Sequence, residues 1–256
     1  MQARIVETAG GARWLAEGWR LFRAAPLQWI ALTFTYMLIM VLMSLVPLIG
    51  TAGFLVIYPA LTVGLMAAAR AASRRTALEV GMLFDGFRQG LRVQLVLGAI
   101  YLACSIVIFA AIALADDEQK LRTLLVAGGA EEIEMSDLAA PLGALALLYT
   151  PMLMMFWFAP PLAAWHGVGA VKALFFSLVA CVMNWRAFLL YGLVTMAAIV
   201  AIAGGLRLIL ALTPGDAAKA VPLPVLLLVV IALLPTFFAS FYASYRDVFG
   251  AEANAP

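Results

Sequence analysis

The residues of this chain that could do chemistry are few and scattered. His166 is the single histidine among 256 residues, between Trp165 and Gly167, with no nearby carboxylate to complete a general-base pair. Because the chain is 66% hydrophobic, which indicates a membrane protein, we interpret His166 as a hydrogen-bonding group at the level of the lipid headgroups. Cys104 and Cys181 have no metal-ligand partner at a recognisable spacing, so both are interpreted as small apolar side chains.

An acidic segment is the best candidate for binding a cation. Glu131, Glu132, Glu134 and Asp137 lie within the stretch 116–137. They lack the alternating spacing of oxygen ligands in a calcium loop, so we expect a solvated acidic loop and no metal site.

A basic cluster would, in a soluble protein, suggest nucleic-acid binding. It consists of Arg70, Arg74, Arg75, Arg88 and Arg92. Beside a membrane, anionic lipid headgroups account for it more simply. The sequence also contains no glycine-rich phosphate loop of the required form. We therefore predict no catalytic, cofactor-binding or metal residues, and no enzyme.

The elements that must position these residues are long uncharged stretches. Between Arg23 and Arg70 the chain runs for 46 residues without Asp, Glu, Lys or Arg. About 20 apolar residues cross a bilayer core once, so this stretch can form two spans joined by a turn at Val46–Gly50. The chain is 66% hydrophobic and 12% charged, roughly half the charge of a soluble protein. This composition indicates a polytopic membrane protein.

Further uncharged stretches raise the number of predicted spans to six. They cover 93–115, 138–171, 187–206 and 220–245, while the apolar segment 173–185 is short enough to be interfacial or re-entrant. We predict an all-α integral membrane protein with six transmembrane helices arranged as three hairpins. The whole chain, 1–256, would form a single polytopic domain built of units 13–75, 77–172 and 173–250, with 116–137 as an acidic external loop.

The distribution of basic residues predicts the orientation. Twelve fall on one side of the predicted spans and four, Lys120, Arg122, Arg207 and Lys219, on the other. The positive-inside rule therefore places the N-terminus and the C-terminus in the cytoplasm. The twelve are Arg4, Arg13, Arg20, Arg23, Arg70, Arg74, Arg75, Arg88, Arg92, Lys172, Arg186 and Arg246.

Each hairpin is preceded by an amphipathic or interfacial segment. In the first, Trp14, Gly18, Trp19 and Phe22 share a face; in the second, apolar residues repeat at helical spacing over 80–91. The third is the apolar segment 174–183. We expect these helices to lie at the membrane surface. Trp19, Trp29, Trp165 and Trp185 are predicted to form an aromatic belt.

The returning helix of each hairpin contains a proline and, eleven residues later, a basic residue. The pairs are Pro59 with Arg70, Pro161 with Lys172, and Pro235 with Arg246. We predict helix kinks at the prolines and cytoplasmic anchors at the bases. The constant offset raises the alternative of a degenerate threefold repeat.

Small residues recur at four-residue spacing in two spans. Ala60, Gly64, Ala68 and Ala72 form one stripe, and Ala197, Ala201 and Gly205 form another. Such stripes allow helices to approach closely. We expect packing within the molecule, with a seam between copies of the chain as the alternative.

Several short motifs together resemble a family. They are Gly18-Trp19-Arg20-Leu21-Phe22 with Pro26 and Trp29, Pro59-Ala60 with Gly64-Leu65-Met66, and Leu83-Phe84 with Phe87. Over roughly residues 10–100 they resemble an uncharacterised family of proteobacterial multi-pass inner-membrane proteins, a domain of unknown function. The resemblance implies a bacterial inner-membrane location and a multi-helix domain, and it implies no activity or site residues.

These observations favour a non-catalytic inner-membrane scaffold, accessory or lipid-interacting protein. Its expected partners are membrane lipids and other membrane proteins or further copies of itself, with no nucleic acid and no cofactor. The alternative is a small-molecule transporter or channel-like permease without a membrane carboxylate, lined by Thr62, Ser240 and Ser244. A membrane enzyme using His166 is the third hypothesis.

Overall fold

A computed structural model describes residues 2–115, 135–212 and 222–250, and over these ranges the protein is helical with no strand. The helices are α1 (Gly10–Ala24), α2 (Pro26–Ser44), α3 (Ile49–Ser73), α4 (Asp85–Arg88), α5 (Leu91–Ala115), α6 (Met135–His166), α7 (Ala170–Met183), α8 (Trp185–Leu212) and α9 (Pro222–Phe249). A short 3₁₀ helix, Val80–Phe84, precedes α4. The all-α prediction is confirmed.

Within the described residues, five helical stretches are long and apolar enough to cross a membrane. They are Pro26–Ser44, Ile49–Ser73, Leu91–Ala113, Gly143–His166 and Trp185–Ile209. The predicted sixth span, 220–245, begins outside the described residues, and α9 covers the remainder. The acidic loop also falls outside them, apart from 135–137 at the start of α6. The arrangement of six spans in three hairpins, and the threefold repeat, therefore stay predictions.

The helices α2 and α3 are joined by the predicted tight turn, and α3 is the central helix of the fold. Its small-residue stripe of Ala60, Gly64, Ala68 and Ala72 is buried, as the four-residue spacing predicts. A Cβ added at Gly64 would lie 2.1 Å from the carbonyl oxygen of Leu83. The stripe therefore brings neighbouring backbone into direct contact with α3, in the manner expected of helices in lipid.

The stripe in α8 behaves differently. Ala197, Ala201 and Gly205 are exposed, and only 11% of the apolar window of this helix is buried. The expectation that these residues pack inside the molecule is wrong. The reason is that α8 contacts the rest of the fold chiefly through its first turns, where it meets α1.

The segment 80–91 is not the single surface helix that its apolar spacing suggested. The 3₁₀ helix, α4 and an irregular step at Gly90, where φ is +74°, interrupt it before α5 begins. Leu83 and Gly86 are buried against α3, and a Cβ at Gly86 would lie 2.1 Å from the carbonyl oxygen of Ala60. Glycine lowers helix propensity and permits this approach, so the segment follows the surface of α3.

The amphipathic helix α1 packs on protein, mainly on α9 and also on α8. Trp14, Gly18 and Phe22 are buried as one face, whereas Trp19 is 41% exposed. The grouping of apolar residues was predicted well, but their burial partner is the last helix of the chain and not lipid. A helix buried against protein and a helix lying in lipid have the same amphipathic pattern, because the pattern indicates only that one face avoids water.

Candidate functional site

The main candidate site is an apolar groove between α6, α7, α8 and α9. It has a volume of about 540 Å³ and is open on one side. Leu153 and Met154 of α6 face Phe188, Leu189, Met196 and Ile199 of α8 across it. Since its walls are almost entirely hydrocarbon and aromatic, the groove suits an apolar ligand.

The hydroxyl groups that line the groove have their hydrogen bonds within the protein. Thr150 Oγ1 donates to the carbonyl oxygen of Ala146 at 2.6 Å, and Thr195 Oγ1 donates to that of Tyr191 at 2.7 Å. The hydroxyls of Tyr191 and Ser240 are 2.6 Å apart. With these groups already paired, the groove provides little to hold a polar solute.

One wall of the groove depends on a serine inserted into the backbone of a neighbouring helix. Ser177 Oγ, on α7, accepts a hydrogen bond from the Phe158 N–H at 2.9 Å and donates one to the Met154 carbonyl oxygen at 2.6 Å. These two backbone groups are four residues apart on α6 and form one donor–acceptor pair of its ladder. The Ser177 hydroxyl therefore hydrogen-bonds to both groups of this turn, and a polar side chain placed there is a recognised cause of helix bending.

Close to this turn, α6 also contains adjacent prolines. Pro160 and Pro161 lack backbone N–H groups, so the carbonyl oxygens of Phe156 and Trp157 have no ladder donor. The carbonyl oxygen of Pro160 accepts from Gln94 Nε2 of α5 at 2.9 Å, and Gln94 is fully buried. Side chains of α5 and α7 thus hydrogen-bond to backbone groups of α6 close to the two prolines.

A polar pocket adjoins the groove at the α7–α8 corner. Its volume is about 390 Å³, and its walls include Glu7, Thr8, Trp185 and Arg186. Trp185 lines both this pocket and the groove. The two cavities are therefore neighbours that meet at Trp185.

The wall of the polar pocket is fixed by Asn184, which is 2% exposed. Its Oδ1 accepts from the Val6 N–H at 2.7 Å, and its Nδ2 donates to the carbonyl oxygens of Arg4 at 3.0 Å and Ala180 at 2.9 Å. Every hydrogen-bonding atom of this amide group is in use except one acceptor position on Oδ1. Asn184 thus fastens the N-terminal segment to the corner between α7 and α8.

A charged cluster joins α1 to α9. Glu17 accepts from Arg20 Nε at 2.8 Å and from Arg246 Nη1 at 3.3 Å, and Trp14 Nε1 donates to Asp247 Oδ2 at 3.0 Å. The hydrogen bond from Arg20 and the charge of Arg246 lower the pKa of Glu17, against an opposing effect of burial. The carboxylate is therefore ionised at neutral pH and fixes the position of α1 on α9.

The sequence is similar throughout to a probable inner membrane protein of Burkholderia thailandensis. The two are 41% identical over 266 aligned residues, which cover 100% of this chain and 97% of that protein. The chain belongs to this inner-membrane family. No family model matches the sequence, and no solved structure matches it.

In this inner-membrane protein, the predicted anchor residues occupy different surroundings. Arg70 lies 5.4 Å from the ring centroid of Trp165, and Lys172 lies 5.6 Å from that of Phe176. Arg246, on α9, belongs to the charged cluster that joins α1 to α9. Pro59, Pro161 and Pro235 all lie inside helices, and their kinks stay predictions.

His166 lies where it can hydrogen-bond, at the end of α6. Its Nε2 is 2.7 Å from the hydroxyl oxygen of Tyr245 on α9. Among the residues that the structure describes, no group of three or more His, Cys, Asp or Glu side chains could hold a metal ion. Cys181 is buried on α7 and Cys104 is half-buried on α5.

The four belt tryptophans do not share one environment. Trp19 and Trp185 are 41% and 54% exposed, and Trp165 is half-buried. Trp29 is fully buried in the core, and the aromatic belt stays a prediction. Trp29 is buried because α2 packs against α3, α9 and the 3₁₀ helix, which covers the face that carries it.

Sequence reasoning missed the groove and the inserted serine. Ser177 gives no signal in sequence, because a serine in an apolar helix usually bonds to its own backbone. The groove depends on how far α8 stands from α6, which is a tertiary property. The adjacent prolines of α6 were the one available sign that this helix needs partners from elsewhere.

Proposed function

We propose that this inner-membrane protein is a non-catalytic, lipid-interacting protein that holds an acyl chain in the groove between α6 and α8. The observation that carries the proposal is the open, apolar groove of about 540 Å³ whose polar neighbours are already hydrogen-bonded. A hydrocarbon chain can make apolar contacts with such walls without leaving any buried polar group unpaired.

The dimensions of the groove agree with this ligand. Along α8 its lining residues run from Trp185 to Ile199, which corresponds to about 21 Å at 1.5 Å per residue. One leaflet of a bilayer has an apolar depth of roughly 15 Å, half of the hydrocarbon core. An acyl chain entering sideways from the lipid can therefore lie along the groove.

A permease has less support. Thr62 is 5% exposed, and Ser240 and Ser244 are fully buried. Each hydroxyl donates to a backbone carbonyl in its own helix, so none of the three faces an open aqueous path. An enzyme has no support beyond His166, which hydrogen-bonds to a tyrosine.

The proposal includes six spans with both termini in the cytoplasm. The excess of basic residues on one side supports this orientation. An even number of spans is supported by a contact between the two ends of the fold, where the Arg4 N–H donates to the Val248 carbonyl oxygen at 2.7 Å. Residues that touch in this way must lie on the same side of the membrane.

We expect reporter fusions to follow this topology. A fluorescent protein fused after residue 250 should fluoresce, and alkaline phosphatase fused there should be inactive, because the former matures in the cytoplasm and the latter needs an oxidising compartment. Phosphatase inserted within 116–137 should be active. Active phosphatase after residue 250 would contradict the orientation.

Filling the groove tests the lipid proposal. Gly192 lines the groove on α8, and a Cβ built there meets no atom within 4 Å. Gly192→Phe should therefore place its ring in the groove without displacing protein. We expect the lipid retained after purification in mild detergent, counted by native mass spectrometry, to fall about tenfold, equivalent to about 1.4 kcal/mol.

The matched control is Gly205→Phe. Gly205 lies on the same helix, its Cβ would also meet nothing within 4 Å, and it does not line the groove. Both variants change helix propensity alike, so only the groove distinguishes them. Equal retention by Gly192→Phe, Gly205→Phe and the wild type would overturn the proposal.

A further inference from the structure

We propose that the ligand of the groove is a glycerophospholipid whose headgroup carries both a phosphate and an ammonium, and that Arg186 and Glu7 recognise these charges in the polar pocket. This rests on the proposed function, since the acyl chain of the same molecule would occupy the groove. The pocket and the groove are assigned as two ends of one binding site.

The continuity of the two cavities supports a single amphiphilic ligand. Trp185 contributes to both, while Ala187 lines the pocket and Phe188 lines the groove one residue later. A ligand that fills both must change from polar to apolar at the indole of Trp185. A phospholipid has this pattern, and tryptophan is enriched at the depth where headgroup meets acyl chain.

Arg186 is available for the phosphate. It is exposed, and its guanidinium carbon lies 5.4 Å from the ring centroid of Trp185, which keeps it at the mouth of the groove. Within the part of the chain that the structure describes, no carboxylate forms an ion pair with Arg186. Arginine pairs with phosphate through two parallel hydrogen bonds, so one phosphate oxygen pair would complete its coordination.

Glu7 is the other charged residue of the pocket. Its side chain is 81% exposed, and the nearest cation is Arg13 Nη1 at 3.5 Å. An exposed pair of this length is weak, so Glu7 can also attract a ligand ammonium. Because the charged residues that line the pocket are one arginine and one glutamate, its charge complements a zwitterionic headgroup better than an anionic one.

The position of Glu7 is held by the fold. The N–H of Val6, its neighbour in sequence, is bound to Asn184 at the start of α8, and the carbonyl oxygen of Arg4 accepts from the same amide. The N-terminal segment is therefore fastened beside Arg186 and forms the opposite wall of the pocket. This arrangement presents an acid and a base to one headgroup.

The experiment compares phosphatidylethanolamine and phosphatidylglycerol with identical acyl chains. Each is titrated into the delipidated full-length protein in detergent, and the fraction bound is measured by native mass spectrometry. We expect the wild type to bind phosphatidylethanolamine more tightly, by about tenfold. Arg186→Gln should weaken both lipids about tenfold, the size expected for loss of a charge-assisted hydrogen bond. Glu7→Gln should abolish the preference and leave the affinity for phosphatidylglycerol within about twofold.

Arg23→Gln is the matched control. Arg23 is also exposed and lies 5.7 Å from the ring centroid of Trp19, but it does not line the pocket. A preference for phosphatidylglycerol, or equal effects of Arg186→Gln and Arg23→Gln, would overturn the headgroup assignment. If Gly192→Phe still lowers lipid retention about tenfold in that case, the lipid-interacting function stands and only this inference fails. If Gly192→Phe retains as much lipid as the wild type, the proposed lipid-interacting function is wrong as well.

Discussion

Replacing Gly18 with leucine is expected to separate α1 from α9 and to lower the free energy of unfolding by about 3 kcal/mol. A Cβ at this position would lie 2.3 Å from the carbonyl oxygen of Thr236 and 2.9 Å from the backbone nitrogen of Ser240. These are backbone atoms of α9, which cannot rotate away as a side chain could. The two helices must therefore move apart, and the hydrogen bond between Trp14 and Asp247 is lost with them.

The control for this prediction is Ala16→Leu. Ala16 is on the same helix but exposed, so a larger side chain meets no backbone there. Thermal unfolding in detergent should show a clear loss of stability for Gly18→Leu and a change within about 0.5 kcal/mol for Ala16→Leu. If the two variants unfold alike, α1 does not depend on close contact with α9.

Replacing Ser177 with alanine is expected to have the second largest effect, a loss of about 2 to 3 kcal/mol. The change removes the hydroxyl that accepts from the Phe158 N–H and donates to the Met154 carbonyl oxygen, so two hydrogen bonds between α6 and α7 are lost at about 1 kcal/mol or more each. Because Met154 also lines the groove, the variant should retain less lipid as well. Unfolding and lipid retention are measured on the same preparations.

Ser105→Ala is the corresponding control. Ser105 is 4% exposed, and its hydroxyl donates to the carbonyl oxygen of Tyr101 within its own helix. That carbonyl keeps its backbone ladder, so removal of the hydroxyl should cost little. Equal stability of the two variants would mean that the Ser177 hydroxyl contributes no more than a hydroxyl bonded within its own helix.

The membrane character and most of the helices could be predicted from composition and run length. The uncharged run between Arg23 and Arg70 predicted α2, the turn and α3. The four-residue spacing of small residues in α3 predicted its buried face, which carries Ala60, Gly64, Ala68 and Ala72. These features are local: each depends on residues within one or two helices. They follow from the cost of charge in lipid and from helical geometry.

The sequence does not predict which surface the apolar face of a helix meets. The apolar face of α1, the burial of Trp29 and the exposure of Ala197 on α8 all depend on helices distant in sequence. In a membrane, lipid and protein interior are both apolar, so hydrophobicity does not distinguish them. The groove between α6 and α8 was unpredictable for the same reason.

The packing of α1 on α9 can form only late in the synthesis of the protein. Trp14 and Asp247 are 233 residues apart in sequence, yet they hydrogen-bond across this contact. Synthesis at roughly 5 to 20 residues per second leaves the apolar face of α1 without its partner for some 10 to 45 seconds, until the last helix emerges. The newly made chain must shield that face meanwhile, in the membrane surface or on an insertion factor. Once α9 is made, it packs on α1 and buries that face, so the contact between the first and the last described helix forms late in synthesis.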